Sequence, residues 1–260
     1  MRILGHIPVL SRALRWYAGR YKEGTVVTIL SGHAAGMRWR RFHRYVNGYW
    51  LGHYELPVQN VLVNALQPGD AFYDVGANAG LLTLVAARKV GPTGRCFAFD
   101  PDPDNVASIR AQIELNDLKN IVVVQAAVSD STGNMRFVRS APGSPMGHLA
   151  QEPLQESIST PEESFEVNAM TLDEAVRQYG PPKLIKMDIE GAEAQAIAGA
   201  GGLLARSRPV WLIELHNKEC ELAVRKALEK HGYQISRLSG ESSDPAGAFP
   251  YHILARPGYG

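Results

Sequence analysis

A chain of 260 residues with 45% hydrophobic and 20% charged residues can bury a full core, which excludes a largely disordered protein. No apolar run approaches the ~18 residues of a membrane span, and no short repeat or long heptad points to a rod. Two cysteines, Cys96 and Cys220, suit a reducing, cytoplasmic compartment rather than a disulfide framework. The net charge of +1 hides an asymmetry: residues 1–50 carry eight Arg and one Lys against one acid, Glu23, so the rest of the chain is acidic. Such a basic front end either meets an acidic ligand, a membrane surface or nucleic acid, or packs on the acidic body.

From Pro8 the apolar residues Val9, Leu10, Ala13, Leu14, Tyr17, Ala18 and Tyr21 recur at helical spacing with Arg12, Arg15, Arg20 and Lys22 between them. This is an amphipathic basic helix, placed either on a membrane or partner surface or on its own domain. Thr25–Leu30 and Met37–Phe42 flank a Gly-containing loop and predict a β-hairpin.

The body alternates strand and helix. A helix over 57–66 opens at Pro57 and stops at Gln67-Pro-Gly-Asp70. Strands follow at Ala71–Val75, Arg95–Asp100, Ile121–Gln125, Leu184–Asp188 and Val210–Glu214, with helices at Leu81–Val90, Pro103–Leu115, from Ala192, and Lys218–His231. Two late strands, Tyr233–Leu238 and Tyr251–Ala255, predict an antiparallel edge pair. This alternation argues for an α/β fold, a parallel sheet covered by helices on both faces. Met135–Val138 and Phe165–Asn168 predict short strands around a Pro-, Ser- and Gly-rich loop, 139–164, that is expected to be mobile and to border the acceptor pocket. Thr171-Leu-Asp-Glu174 is a capping box.

In an open parallel sheet, ligands bind outside the carboxyl ends of the strands. After the first strand of the body comes Asp74-Val-Gly-Ala-Asn-Ala-Gly80, where Gly76 and Gly80 permit a tight turn and a close ligand at a helix start. After the second comes Asp100, placed to accept hydrogen bonds from both ribose hydroxyls of an adenosine. A nicotinamide fingerprint would carry a glycine where Asn78 stands. A carboxylate at Asp74 would repel pyrophosphate and suit an ammonium group. Those features favour S-adenosylmethionine, although Asp74 also has an alternative reading as a cap.

Asp74-Val-Gly-Ala-Asn-Ala-Gly80 together with Ile185-Lys-Met-Asp-Ile-Glu-Gly-Ala-Glu193 resembles the FkbM family of S-adenosylmethionine-dependent methyltransferases. Supporting matches are Tyr49–Glu55, Phe99-Asp-Pro101, Ala126–Asp130, Thr171-Leu-Asp173 and Ile213-Glu-Leu-His216. The resemblance spans about residues 45–216, and the Asp of Phe99-Asp-Pro101 stands where the family often has Glu. It implies a class I methyltransferase, Rossmann-like, with a seven-stranded, mostly parallel sheet whose last strand is antiparallel. Residues 1–47 then form a helix-and-hairpin extension and 48–260 the cofactor-binding domain. It implies methyl transfer, most often to a hydroxyl oxygen of a sugar or natural product. It adds Glu55, Pro101 and Ala127 to the cofactor-binding set of Asp74, Gly76, Asn78, Gly80 and Asp100.

Methyl transfer needs alignment and a group to take the acceptor's proton. Asp188 and Glu190 follow the fourth strand, and Glu214 and His216 the fifth, so these four are the candidate catalytic residues. His216 is the first candidate for the base, with an ionisation expected near about 6.5; His148 and His53 are rivals, and a structural, helix-capping His216 is the alternative. Glu193 reads as a first-turn acid favoured by the helix dipole. The same four side chains suit Mg²⁺ or Mn²⁺, without a diagnostic spacing. Two competing readings are a non-catalytic binding module of the same fold and a nucleic-acid methyltransferase using Arg38, Arg40, Arg41 and Arg44. The first is opposed by the run of acids after the strands. The second lacks an Asn-Pro-Pro-Tyr type of motif, where Asp188-Ile-Glu190 stands.

Overall fold

The computed structural model describes residues 21–45, 48–140, 144, 146–149, 163–238 and 249–258. The amphipathic stretch from Pro8 to Arg20, and with it the choice between a membrane or partner surface and its own domain, lies outside the described residues, as do residues 150–162 of the long loop. Among the described residues no helix is long and apolar enough to cross a membrane.

The described residues open on a hairpin of β1 (Val26–Thr28) and β2 (Arg38–Arg40), paired antiparallel as its sequence predicts. Next come α1 (Leu56–Ala65), β3 (Ala71–Val75), α2 (Leu81–Val90), β4 (Arg95–Phe99), α3 (Pro103–Leu115) and β5 (Ile121–Val124). The interruption follows: β6 (Ala127–Val128), β7 (Gly133–Arg139), β8 (Gly147–Leu149) and β9 (Ser164–Met170). The last part holds α4 (Leu172–Tyr179), β10 (Leu184–Met187), α5 (Glu193–Ala198), a π-helical turn at Leu203–Ser207, β11 (Val210–Leu215), α6 (Lys218–Lys230), β12 (Tyr233–Arg237) and β13 (Tyr251–Pro257).

Side-chain caps set several helix starts. Asp102 accepts from Asp104 N with Pro103 in the first turn of α3, Thr171 accepts from Glu174 N, and Asn217 accepts from Cys220 N. Each satisfies an amide that the first turn leaves without an intrahelical partner.

Seven strands form the main sheet in the order β12-β13-β11-β10-β3-β4-β5. The five from β11 to β5 are parallel, and β13 is antiparallel to both its neighbours. The expected antiparallel edge pair is present, with β12 outermost and β13 between it and β11. The reason is burial. Residues Tyr251–Ala255 are all buried, whereas β12 is largely exposed after Tyr233 and makes the polar edge.

Neighbouring residues of each strand serve opposite faces. Phe72, Cys96, Leu184 and Leu212 pack with α1, α2 and the hairpin residues Ile29 and Trp39. Tyr73, Phe97, Ile185 and Ile213 pack with α4, α5 and α6. A large apolar side chain buried as completely as Phe72 contributes about 1.5–3 kcal/mol. The hairpin is also tied to α3, where Gln112 and Asn116 bond the backbone of Arg40 and Arg38.

The interruption is a second sheet of four strands, β6-β9-β7-β8. The expected strands around Met135–Val138 and Phe165–Asn168 are longer than their sequence signal. Part of the predicted loop is the short strand β8, which pairs with β7.

Candidate active site

The carboxyl ends of β3, β4, β10 and β11 open into one cavity of about 470 Å³, within the about 300–1,000 Å³ usual for small-molecule sites. On one side it is lined by Asn78, Asp100, Pro101 and Ala127, with Phe137 and Leu149 of the second sheet as a wall, and Gly76 lies against the Asp188 loop. On the other side stand Glu55, Lys186, Asp188, Glu190, Glu214 and His216.

The loop after β3 is built on left-handed backbone. Gly76 has φ +79°, and a Cβ there would lie 1.8 Å from the carbonyl oxygen of Asp188. Only glycine allows this approach of the two loops. Asn78 takes φ 52°, tolerated by a short amide side chain, and its Oδ1 accepts from Ala79 N at 2.7 Å. Gly80, at φ +91°, caps α2 and lies against Ile109 rather than the cavity.

Asp100 is buried and receives three donors: Asn78 N at 2.8 Å on Oδ2, and Asp102 N at 3.0 Å and Asn105 Nδ2 at 3.1 Å on Oδ1. It therefore organises the loops after β3 and β4, and Oδ2 receives one of these three donors. Burial pushes its pKa up to about 7 against the pull of these donors.

Asp74 is placed elsewhere than its sequence reading suggested. It is fully buried beneath α2, accepts from Thr83 Oγ1 at 2.5 Å, and is not part of the cavity wall. Lys186 Nζ lies 3.6 Å from it, because β10 and β3 pair Lys186 with Asp74 in register.

On the other side, Asp188 Oδ2 is 3.6 Å from Lys186 Nζ, and Asp188 Oδ1 is 3.5 Å from His216 Nε2. Burial raises the Asp188 pKa, but Lys186, His216 and His252 pull it below the usual carboxylate range. Burial and the Asp188 charge push Glu214 up to about 8. The same two causes raise Glu190 and Glu55. Glu55 and Glu190 both hold left-handed backbone, φ 45° and 54°, and such strain concentrates at functional sites.

His216 has a partner that the sequence reading passed over. Its Nδ1 is 2.9 Å from Oε1 of Glu193, whose carboxylate is fully buried and also receives Ile189 N and Gly191 N. Burial lowers the His216 pKa, yet the Glu193 hydrogen bond with the charges of Glu193, Asp188 and Glu190 lifts it to about 9. The imidazole is thus a cation at neutral pH, and the expected ionisation near 6.5 is corrected. Of the rival bases, His148 is an exposed residue on the cavity rim, and His53 is exposed, outside the cavity wall and 3.2 Å from Ser31 Oγ.

Two donor sets have ligand atoms within 4.8 Å of one another: Asp188, Glu214 and His216, and Glu55, Glu214 and His252. Lys186 beside Asp188 already neutralises part of this charge. Lys186, Glu193 and His252 were not among the sequence candidates. The alternation along Leu184–Met187 places Lys186 on a buried face, but its partners come from other strands.

The architecture and the motifs agree with known proteins. The model of the "Methyltransferase FkbM domain" matches residues 74–235. The 2-O-methyltransferase NoeI of Sinorhizobium fredii is 26% identical over 212 residues, 74% of this chain and 80% of that protein. The 31-O-demethyl-FK506 methyltransferase FkbM of Streptomyces tacrolimicus is 28% identical over 200 residues, 65% of this chain and 75% of that protein. Among solved structures, the methyltransferase FkbM from Methylobacillus flagellatus KT superposes with a TM-score of 0.52 at 17% identity, covering 73% of this chain and 44% of that one. With the family model spanning both glycine-loop and Asp188 motifs, the chain belongs to the FkbM methyltransferase family.

Proposed function

We propose that the chain transfers a methyl group from S-adenosylmethionine to a hydroxyl oxygen of a sugar or natural product, with Asp188 as the proton acceptor. The observation that carries this reading is the contact between the Gly76 loop and Asp188, both of which line the cavity.

The residues present fit the cofactor. Its cations suit the carboxylates at the Asp188 end, where Glu55 Oε2 is buried without a hydrogen-bond partner. Asp100 lines the cavity as an acceptor for a ribose hydroxyl, and Pro101, Ala127 and Phe137 supply the apolar surroundings of a base. When bound, the cofactor supplies a methyl group on a sulfonium. Asp188, held ionised by Lys186 and His216, takes the proton of the acceptor hydroxyl as its oxygen becomes the ether. His216 is held by Glu193 as a fixed cation that keeps Asp188 ionised, and Glu214, protonated at neutral pH, donates toward Asp188.

We place the acceptor among small molecules and glycans, whose hydroxyls carboxylates bind well. Phosphates would meet repulsion at Asp188 and Glu190. The basic front end supports the packing alternative where it is described: Arg44 pairs with Asp102 and Asp104. Cys96 and Cys220 are both free and buried, as a reducing compartment allows.

The test is transfer of a labelled methyl group from S-adenosylmethionine to a panel of soluble glycosides and polyols, with Asp188→Asn as the control. Label in an alkali-stable ether, lost in Asp188→Asn, is the expected result. Label only on amines would refute the hydroxyl assignment.

A further inference from the structure

Lys186 is an expensive residue to keep where it is. It lies on a central strand, is 3% exposed, and faces the α2 side of the sheet, where its strand neighbour Leu184 is core. Removing an ammonium from water costs several kcal/mol, and an apolar side chain would fill such a site at lower cost. Its contacts show what the charge is kept for. Nζ donates to the carbonyl oxygen of Gly76 at 2.8 Å and lies 3.6 Å from both Asp74 Oδ1 and Asp188 Oδ2. Asp74 is itself anchored by Thr83 of α2. One side chain thus joins the buried Asp74, the glycine loop and the acid that follows β10.

We propose that Lys186 is a positioning residue for methyl transfer: its ammonium, seated between Asp74 and Asp188 and bonded to Gly76, fixes the Asp188 carboxylate relative to the cofactor loop. This rests on the reading of Asp188 as the proton acceptor. Two backbone constraints act in the same direction, the Asp188 N bond to Val75 O at 3.0 Å and the close approach of Gly76 to the Asp188 carbonyl. They place the backbone of Asp188, and Lys186 places its carboxylate.

Other groups face Asp188 from each packed element. Glu190 follows it on its own loop, Glu214 comes from β11 and His216 from just after it, His252 from β13, and Tyr54 and Glu55 from just before α1. Of these groups, His216 loses its charge as pH rises, whereas the anions around Lys186 outweigh its burial and keep it protonated. The steady part of the field on Asp188 is therefore that of Lys186.

The test needs no methyl acceptor, so it separates this role from the choice of substrate. The Asp188 carboxyl is titrated by ¹³C NMR, its signal assigned by loss in Asp188→Asn, and S-adenosylhomocysteine affinity is measured by calorimetry. In Lys186→Met the Asp188 midpoint is expected to rise by about one pH unit or more. Affinity for S-adenosylhomocysteine should fall several-fold as Gly76 loses its donor. Lys186→Arg should return the midpoint toward that of the parent. Should Lys186→Met fail to fold, the pair Asp74→Asn with Lys186→Met removes one charge of each sign and carries the same titration. An Asp188 midpoint unchanged in whichever of these proteins folds would overturn the proposal, whatever happens to methyl transfer.

Discussion

His216 Nδ1 lies 2.9 Å from Oε1 of Glu193, a carboxylate with no exposure to solvent. The bond fixes the ring so that Nε2 faces Asp188 and Glu190, each 3.5 Å away. A histidine between three carboxylates holds its proton, which separates it from the role of a neutral-pH base.

The first prediction follows for the pH–rate profile. With Asp188 held below the usual carboxylate range and His216 at about 9, the rate should show no rise through the ordinary imidazole range. It should fall as His216 loses its proton at alkaline pH. In His216→Ala the rate at neutral pH should drop about 10-fold or more, and the acidic limb should move upward because one cation beside Asp188 is gone. Single-turnover transfer across pH checks this. A simple rise centred near the free imidazole value would restore His216 as the base.

The same pair carries a stability prediction. The His216 pKa is raised above its unfolded value, so its contribution is complete below the unfolded pKa of about 6.5. It is lost as pH rises through the folded value of about 9. Thermal melts should therefore show a decline in Tm across that window that is smaller in Glu193→Gln, where only Asp188 and Glu190 still favour the charged ring.

Asp100 gives a third prediction. Both its oxygens accept hydrogen bonds, so in Asp100→Asn the amide nitrogen must face a donor, Asn78 N on one side or Asp102 N and Asn105 on the other. A charge-assisted bond contributes about 1.5–3 kcal/mol, so S-adenosylmethionine affinity should fall by roughly ten- to a hundredfold. Calorimetry on the folded variant checks this, and unchanged affinity would remove Asp100 from the cofactor site.

Much of this was legible in sequence because it is local. Gly76, Asn78 and Gly80 announce a tight turn at a helix start, and strand alternation gives the sheet and both layers of helices. The pairing of His216 with Glu193 was hidden because it joins residues 23 apart through two loops. Asp74 was misplaced for a related reason: its motif is local, but the direction of its side chain depends on Lys186 and Thr83 above it. The strand β8 carries too few residues for a period to show. The order within the edge pair was not legible: β13 is buried over Tyr251–Ala255 and lies inside β12, a difference that two short runs do not show.

Gly76 supports a fourth prediction. A Cβ at this position meets the Asp188 carbonyl at 1.8 Å, and φ +79° is strained for any other L-residue. Since the obstacle is backbone, no rotamer relieves it. Gly76→Ala should cost more than about 4 kcal/mol or fold with the two loops forced apart and cofactor binding lost. Denaturant melts and calorimetry measure both. A stable variant with parental affinity would mean that the loops do not touch in solution.

The last prediction concerns Arg139, at the end of β7. Its guanidinium is 6% exposed and bonds Asp102 through Nε at 2.9 Å and Nη2 at 2.8 Å, while Nη1 bonds Glu163 at 2.7 Å. Arg44 binds Asp102 from the other side and also reaches Ser144 O. Asp102 caps α3, and its amide donates to Asp100 Oδ1, so the pair joins the second sheet to Asp100 in the cavity wall. Burial pushes the Asp102 pKa up, but the two arginines and the Asp104 amide hold it below its usual value. Removing one partner from a buried pair costs about 3–5 kcal/mol. Here Arg44 remains, so Arg139→Met should cost about half of that. The loss should be felt in binding as well as folding: with Asp102 less firmly held, its amide orients Asp100 less well. Affinity for S-adenosylmethionine should drop a few-fold, with the largest drop at low pH, where Asp102 without Arg139 protonates sooner. Calorimetry at two pH values together with thermal melts separates the effects. A lower Tm with unchanged affinity at both pH values would make Arg139 a fold anchor alone.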